Sequence, residues 1–455
     1  MSRVDRSALP STEAAPAFRF PRLERRVLDN GLEVRALAHH AVPVVSLVLL
    51  LPGGSSADPA DRPGLAALTA DLVDEGSGGR DALEVADRLA RLGADLDIDV
   101  TADATVISMT TLARFLEPAL EMLGEIVMAP TLADEDFARV RGLRLDRLRQ
   151  LRDHAPAVAE RAFARIIYGD HPYGHLSIGT EAALGAMTAA DVRAFHQRAY
   201  IPQGTTLVMA GDARHADLLE AGVRAFAAWP SGALPLDRTA ALAAPPLVPA
   251  ERLAIVPRPG AAQSELRIGH LCASRDTPDY HALLLLNTVL GGQFVSRVNL
   301  NLREDKGYTY GARTGIDLRR GLGPFVLQMS VQTEVTAAAI TEALREIDLI
   351  RGAKPVTDLE RDLAVRSLTL GYPRGFETAQ QVARSVAQLA LHGLPDSYFE
   401  AFVPAISDVG LADLTRVARH YLDPSRLVTL IVGDHESIAG SLRSLNLGEP
   451  AVLGV

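Results

Sequence analysis

Cysteine is nearly missing from this chain. Cys272 is the single one, which excludes an intrachain disulfide and a cysteine-based zinc cluster and fits a reducing compartment. Basic residues are not in excess either. Against 56 Asp and Glu there are 46 Lys and Arg, a formal net charge of −10 with a pI near 5.7. The arginines are interspersed with acids on apparent helix faces, so no phosphate-neutralising patch is expected and no nucleic-acid partner. No apolar run approaches the about 20 residues that cross a bilayer. The longest, VPVVSLVLLLP at 42–52, ends in proline and reads as a buried strand. The N-terminus, MSRVDRSALPSTEAAPAFRFP, has no apolar core of the kind a secretory signal carries. Residues 1–24 therefore read as a disordered arm, and the chain as cytoplasmic, with a periplasmic location left open.

What is present is globular material, 48% apolar and 22% charged, far from the composition of disorder. At 455 residues the chain is about three times a typical domain in length. It is also written twice. TAADVRAFHQRAYIPQGTTLVMAGD at 188–212 and LADLTRVARHYLDPSRLVTLIVGD at 411–434 share one order: helix, Tyr200 or Tyr421, Pro202 or Pro424, strand, then Gly211-Asp212 or Gly433-Asp434. The offset is roughly 222 residues, which implies two copies of a domain of about 200 residues. The expected domains are 25–238 and 253–455. They are joined by the Ala- and Pro-rich 239–252, which reads as a linker unsuited to helix or sheet.

Strands and helices alternate within each copy. Asn30-Gly31 reads as a hairpin turn inside RRVLDNGLEVRAL. DALEVADRLARLGADL at 81–96 predicts a helix with Leu83, Ala86, Leu89, Ala90 and Leu92 on one stripe, stopped at Gly93. VTADATVISMTTL at 100–112 reads as strand, and long helices fill 114–167. The class is α+β, two mostly antiparallel sheets, each covered on one face by helices.

The order of a strand, Gly53-Gly54-Ser55, a loop ending in Gly64-Leu65-Ala66 and then a helix resembles the first domain of the insulinase-like M16 (inverted-zincin) peptidases. The resemblance runs from about residue 25 to 434 and includes HPYG at 171–174 and IGT at 178–180. Active members carry His-x-x-Glu-His on that helix, two histidines binding zinc and the glutamate acting as general base on the metal-bound water. Here Ala67 stands for the first histidine, Ala70 for the glutamate and Asp71 for the second histidine. Arg147 is nearest the position of the third ligand, a glutamate. A zinc site is therefore not expected in this chain. His171 and His175 have i, i+4 spacing, but Pro172 and Gly174 between them indicate a loop; His39-His40 reads as exposed.

The second domain carries LREDKGYTYGA at 302–312. The resemblance implies that Arg303 and Tyr310, with Gly307 between them and Gly291-Gly292-Gln293-Phe294 and Ser296-Arg297 upstream, are the pair that grips the substrate carbonyl and the oxyanion. Tyr308 does not match and reads as packing. Taken by themselves, Arg303 could equally be a surface partner of Glu304 or Asp305, and Tyr310 a half-buried strand tyrosine. A chain with this pair and without the metal is similar to the non-zinc subunit of the heterodimeric M16B-type branch. The implied partner is a zinc-bearing subunit with His-x-x-Glu-His, and the implied substrate a peptide or unfolded polypeptide added as a strand to a sheet edge. The other reading is a proteolytically inactive structural or peptide-binding homologue, like the core subunits of respiratory complexes. No nucleophile elbow, phosphate loop or Cys/His pair supports independent catalysis.

Overall fold

A computed structural model describes residues 18–232, 239–243, 249 and 251–454. Two six-stranded sheets organise the chain. The first runs, edge to edge, Glu24–Val27, Glu33–Ala38, Thr206–Gly211, Val44–Leu51, Thr105–Leu112, Asp95–Val100. The second runs Ala312–Ile316, Gly323–Gln332, Gln263–Ala273, Val428–Gly433, Leu253–Pro257, Ala451–Val452. Read in opposite directions the orders coincide over five strands, and Thr206–Gly211 corresponds to Val428–Gly433. The sequence repeat is thus a repeat of topology. Antiparallel pairs dominate; the parallel ones are Glu33–Ala38 with Thr206–Gly211, and Leu253–Pro257 with both of its neighbours.

Both faces of the first sheet are covered, where helices on one face were expected. Val45, Leu47, Leu49 and Leu51 point into a core with Leu68, Leu120, Leu123, Phe195 and Phe226 of the same half. Alternate residues Leu37, Val48, Val208 and Ala210 face the other way. They meet Val382, Ala383, Val386 and Leu389 of helix Ala379–His392, which belongs to the second half. The exchange is reciprocal. Helix Ala155–Tyr168 of the first half lays Val158, Ala159, Phe163 and Ile167 on Ala254, Val256, Val428, Leu430 and Val432 of the second sheet. A strand buried on both faces reads as a continuous apolar run rather than an alternation, which is why VVSLVLLL has so little polar content.

Several expectations are corrected. Helix Ala82–Arg91 starts on an Asp81–Glu84 capping box as expected of such a pattern, but it buries Val85 and Leu92, with Leu89 half-buried, at i, i+4, i+7. Leu83 is 80% exposed and Ala86 and Ala90 face solvent, so the buried stripe keeps Leu89 and Leu92 of the expected one and runs through Val85 instead of the other three. The stretch 100–112 holds the end of strand Asp95–Val100, a turn at Thr101–Ala104 and then strand Thr105–Leu112, so the strand starts five residues later than expected. Within the expected linker, Thr239–Ala243 is a short helix, and Leu242 is buried with Tyr173 and Phe163; the Ala and Leu of TAALA are strong helix formers. Of the expected arm, 1–17 lie outside the described residues. Phe18 and Phe20 pack on Phe376 and Phe399, with ring centroids 5.0 and 4.6 Å apart.

HPYG joins the halves. The Tyr173 hydroxyl donates to buried Asp103 and accepts from Gly321 N at 3.2 Å, and the second Asp103 oxygen accepts from Arg320 N at 3.0 Å. The Tyr168 hydroxyl donates to the Leu322 carbonyl at 2.8 Å.

Candidate functional site

Helix Leu65–Ala70, the one the resemblance matches to the metal-motif helix, is entered through Gly64 at φ 99°. A Cβ on Gly64 would lie 2.8 Å from the Gly179 Cα, and one on Gly179, at φ 79°, would lie 2.4 Å from the Pro63 carbonyl. Gly-Leu-Ala and Ile-Gly-Thr are therefore packed backbone to backbone, and only glycine fits at either place. Asp58, fully buried, accepts from the N–H groups of Gly64 and Ala66 at 2.6 and 2.7 Å, capping the helix from a distance. His175 Nε2 lies 3.0 Å from both Asp58 Oδ2 and the Ser55 carbonyl, two acceptors, so that nitrogen carries the proton. His171 Nδ1 accepts from Tyr173 N at 3.1 Å. Both histidines serve the loop.

Ala67 and Ala70 bury their methyls in the first core. Asp71 ends the helix and meets Arg144. Arg144 donates to its carboxylate at 2.5 Å and to the Ser177 carbonyl at 2.9 Å. Arg147, three residues on along Asp134–Arg152, is exposed and reaches only Gln150 Oε1 at 3.4 Å. A zinc ion needs three protein donors. This helix offers two methyls and one carboxylate already neutralised by a guanidinium, and the set does not fit the ion. Among the described residues no group of three His, Cys, Asp or Glu could hold a metal.

Burial shapes what surrounds that pair. Burial raises the Asp74 carboxyl to about 6, with the charges of Glu75 and Asp71 adding to the effect. Burial also pushes the Tyr200 phenol up, and its hydroxyl has no partner among the described residues. His196, held down by burial, stacks on Tyr200 at 4.6 Å and bonds the Val127 carbonyl at 2.9 Å.

Arg303 and Tyr310 come together in the second half, at the edge strand Ala312–Ile316. Both line one open groove of about 570 Å³ with Gly291, Gly292, Phe294, Glu265, Arg267 and Arg313. The segment is not a strand. Leu300–Asp305 is a wide π-type turn, and 306–311 is loop that Gly307 reverses at φ 65°. Arg303 has its guanidinium carbon over the Phe294 ring, 3.4 Å from its centroid, and donates to Glu304 at 2.8 Å and to the Phe294 carbonyl at 3.3 Å. The ion pair with Glu304 is the surface contact that Arg303 taken by itself suggests, and the stacking on Phe294 adds to it. Tyr310 is 97% exposed, not half-buried. Tyr308 packs on the second core. Asn299 holds the loop to the edge strand, its Oδ1 accepting from Ala312 N at 2.9 Å. Arg297 lies outside the groove, clamping Glu360 with two bonds of 2.7 Å.

Sequence reasoning missed the floor of the groove. Glu265 and Arg267, both buried, pair with each other, and Glu265 also accepts from Ser330 Oγ. Arg267 reaches across to the Pro156 carbonyl of the exchanged helix at 3.4 Å. The signal was there: two opposite charges two residues apart in the apolar strand QSELRIGHL share one face. Arg313 lies opposite Gln328 across the strand pair. A groove with three guanidiniums and one carboxylate, beside a strand whose outer edge has no described neighbour, can accept an extended backbone and donate hydrogen bonds to carbonyl or oxyanion oxygens.

The insulinase (peptidase family M16) model matches residues 34–181 and the peptidase M16 inactive domain model residues 186–368. The chain belongs to the M16 family. It is 25% identical over 441 residues to an uncharacterized zinc protease of Mycobacterium bovis, covering 94% of this chain and 96% of that one. A non-peptidase homolog of Helicobacter pylori is 20% identical over 425 residues, covering 89% and 96%. Among solved structures, a peptidase M16 inactive domain from Pseudomonas fluorescens superposes with a TM-score of 0.84 at 26% identity, covering 91% of this chain and 98% of that one. No helix among the described residues is long and apolar enough to cross a membrane.

Proposed function

We propose that this chain is the non-zinc subunit of a heterodimeric M16 peptidase, with Arg303 and Tyr310 binding the substrate carbonyl and the oxyanion of a peptide cut by a partner's zinc. The observation that carries the reading is the shared groove. Tyr310 is exposed beside an edge strand, and helix Leu65–Ala70 presents buried methyls with the Arg144–Asp71 ion pair at its end, which supports the reading. An unfolded or peptide substrate would add its backbone to Ala312–Ile316 or to the partner's sheet, and the cytoplasm is the expected location. Zinc belongs to the partner.

The inactive-homologue reading has its own support in the matching model, whose description is an inactive domain, and in the H. pylori relative named a non-peptidase homolog. One experiment separates the two. A quenched unstructured peptide is incubated with this chain, with a His-x-x-Glu-His chain of similar length from a neighbouring reading frame, and with both. Hydrolysis that requires both chains supports the subunit; a complex that gains nothing from this chain supports the scaffold. Chelator-sensitive cleavage by this chain alone overturns both.

A further inference from the structure

Helix Ala379–His392 lies between the halves, and such a helix is expected to be apolar all round. One face is: Val382, Ala383, Val386 and Leu389 cover the first sheet. The other carries Ser385, Gln388 and His392 at i, i+3, i+7. These three line a cavity of about 360 Å³ whose opposite wall is helix Tyr280–Asn287 with Ile316 and Leu318. That volume lies at the lower end of small-molecule sites, about 300–1,000 Å³.

Arg275 enters this cavity. Its guanidinium lies 3.6 Å from the centroid of the Tyr280 ring and 5.2 Å from that of Tyr398, and no carboxylate among the described residues pairs with it. The adjacent acids are engaged elsewhere: Asp276 accepts from Ser274 Oγ, and Asp279 from Arg416 at 2.6 Å and Tyr421 at 3.0 Å. The charge is felt nearby. His281 and His392 are both held below the ordinary imidazole range, first by burial and then by Arg275, His392 down to about 4; Arg320 adds to the effect on His392, and Asp103 opposes it. Both rings are neutral at neutral pH, leaving Arg275 the cation of the cavity. Asn287 Oδ1 and His392 Nδ1 are buried without a hydrogen-bond partner among the described residues. Buried polar atoms are rarely left so unless something else meets them.

We propose that this cavity binds a small organic carboxylate with an apolar body, its carboxylate on Arg275 and its body against Leu283, Leu284, Leu389 and Phe399. Charge selects an anion, the lining selects an apolar body, and the volume limits it to a single ring or a short branched chain. The ligand would tie the exchanged helix to the second half. It would also sit against Asn287, whose Nδ2 lies 2.9 Å from where a Cβ of Gly292 would stand, in the turn that leads to the Arg303 groove.

Phenylacetate titrated into the full chain, followed by ligand-observed NMR, is expected to bind saturably at about millimolar concentration or below. Its neutral isostere phenylacetamide should bind at least about tenfold more weakly, because the charge-assisted bonds to the guanidinium are lost. Arg275→Gln should erase that difference. Ser385→Phe occupies the cavity from the wall of helix Ala379–His392 and should abolish binding of both compounds, so the proposal stands or falls on it if Arg275→Gln does not fold. Equal affinity for acid and amide in the wild-type chain, binding that survives a folded Ser385→Phe, or no saturable binding of phenylacetate up to about 10 mM overturns the proposal.

Discussion

Arg144 and Asp71 form an ion pair 2.5 Å long at the end of helix Leu65–Ala70, the helix that the resemblance matches to the metal motif. The same guanidinium anchors the Ser177 carbonyl, so it ties the helix to the segment that carries Ile-Gly-Thr. A positive charge that the fold supplies covalently leaves nothing for a metal to do there.

Dialysed protein should accordingly contain far less than one zinc per chain by elemental analysis. Arg144→Ala should not create a zinc site, because Ala67 and Ala70 still offer no donor. It should lower stability by about 1–3 kcal/mol through the lost charge-assisted bonds, read as a lower denaturant midpoint. Stoichiometric zinc at this helix would sink the proposed function.

Asp74 makes stability pH-dependent. Its carboxyl is raised by burial from 3.8 to about 6, so the folded chain binds a proton more tightly than the unfolded one. The stability this group contributes is complete below its unfolded value and is lost as pH rises through about 6. Asp74→Asn keeps the neutral form at all pH. It should be more stable than wild type by about 2–3 kcal/mol near pH 7.5 and no different near pH 3.5. Parallel denaturation curves at the two pH values would show burial to be compensated in some other way.

For the assembled peptidase, Tyr310→Phe removes a hydroxyl that is fully exposed and supports nothing in the fold. It should lower kcat by roughly 10²-fold, as for a lost oxyanion donor, with assembly intact. Arg303→Ala should do similar damage and raise KM as well, since a group that grips the carbonyl contributes to ground-state binding. Tyr308→Phe, packed on the second core, should be nearly silent. Wild-type turnover from an assembled Arg303→Ala, Tyr310→Phe chain would move the assignment to the scaffold reading.

The exchanged helices predict that neither half folds by itself. Residues 1–238 alone would expose Leu37, Val48, Val208 and Ala210 and leave helix Ala155–Tyr168 without its sheet. That fragment should be aggregated or dye-binding in isolation and become ordered when coexpressed with 239–455. A monomeric fragment with a cooperative thermal transition by circular dichroism would contradict this.

Much was legible in the sequence because it rests on local chemistry and on repetition. The strand–Gly-Asp endings at 211–212 and 433–434 announced the duplicated topology, and the turn at Asn30-Gly31 follows from backbone preferences that need no partner. That Ala67 and Ala70 offer no metal donor is a matter of residue type, readable in one dimension. Tertiary structure decided what depends on who faces whom. A doubly buried strand such as Val44–Leu51 is apolar whichever helix covers it, so no pattern in it could say that its second cover comes from residues 379–392. Packing of helix Asp134–Arg152 beside helix Leu65–Ala70 brought Arg144 onto Asp71, a contact 73 residues apart in sequence. Burial, which no composition reveals for a single carboxyl, raised Asp74; and only the packing of helix Ala379–His392 beside helix Tyr280–Asn287 within the second half left Arg275 in a cavity with no carboxylate partner among the described residues.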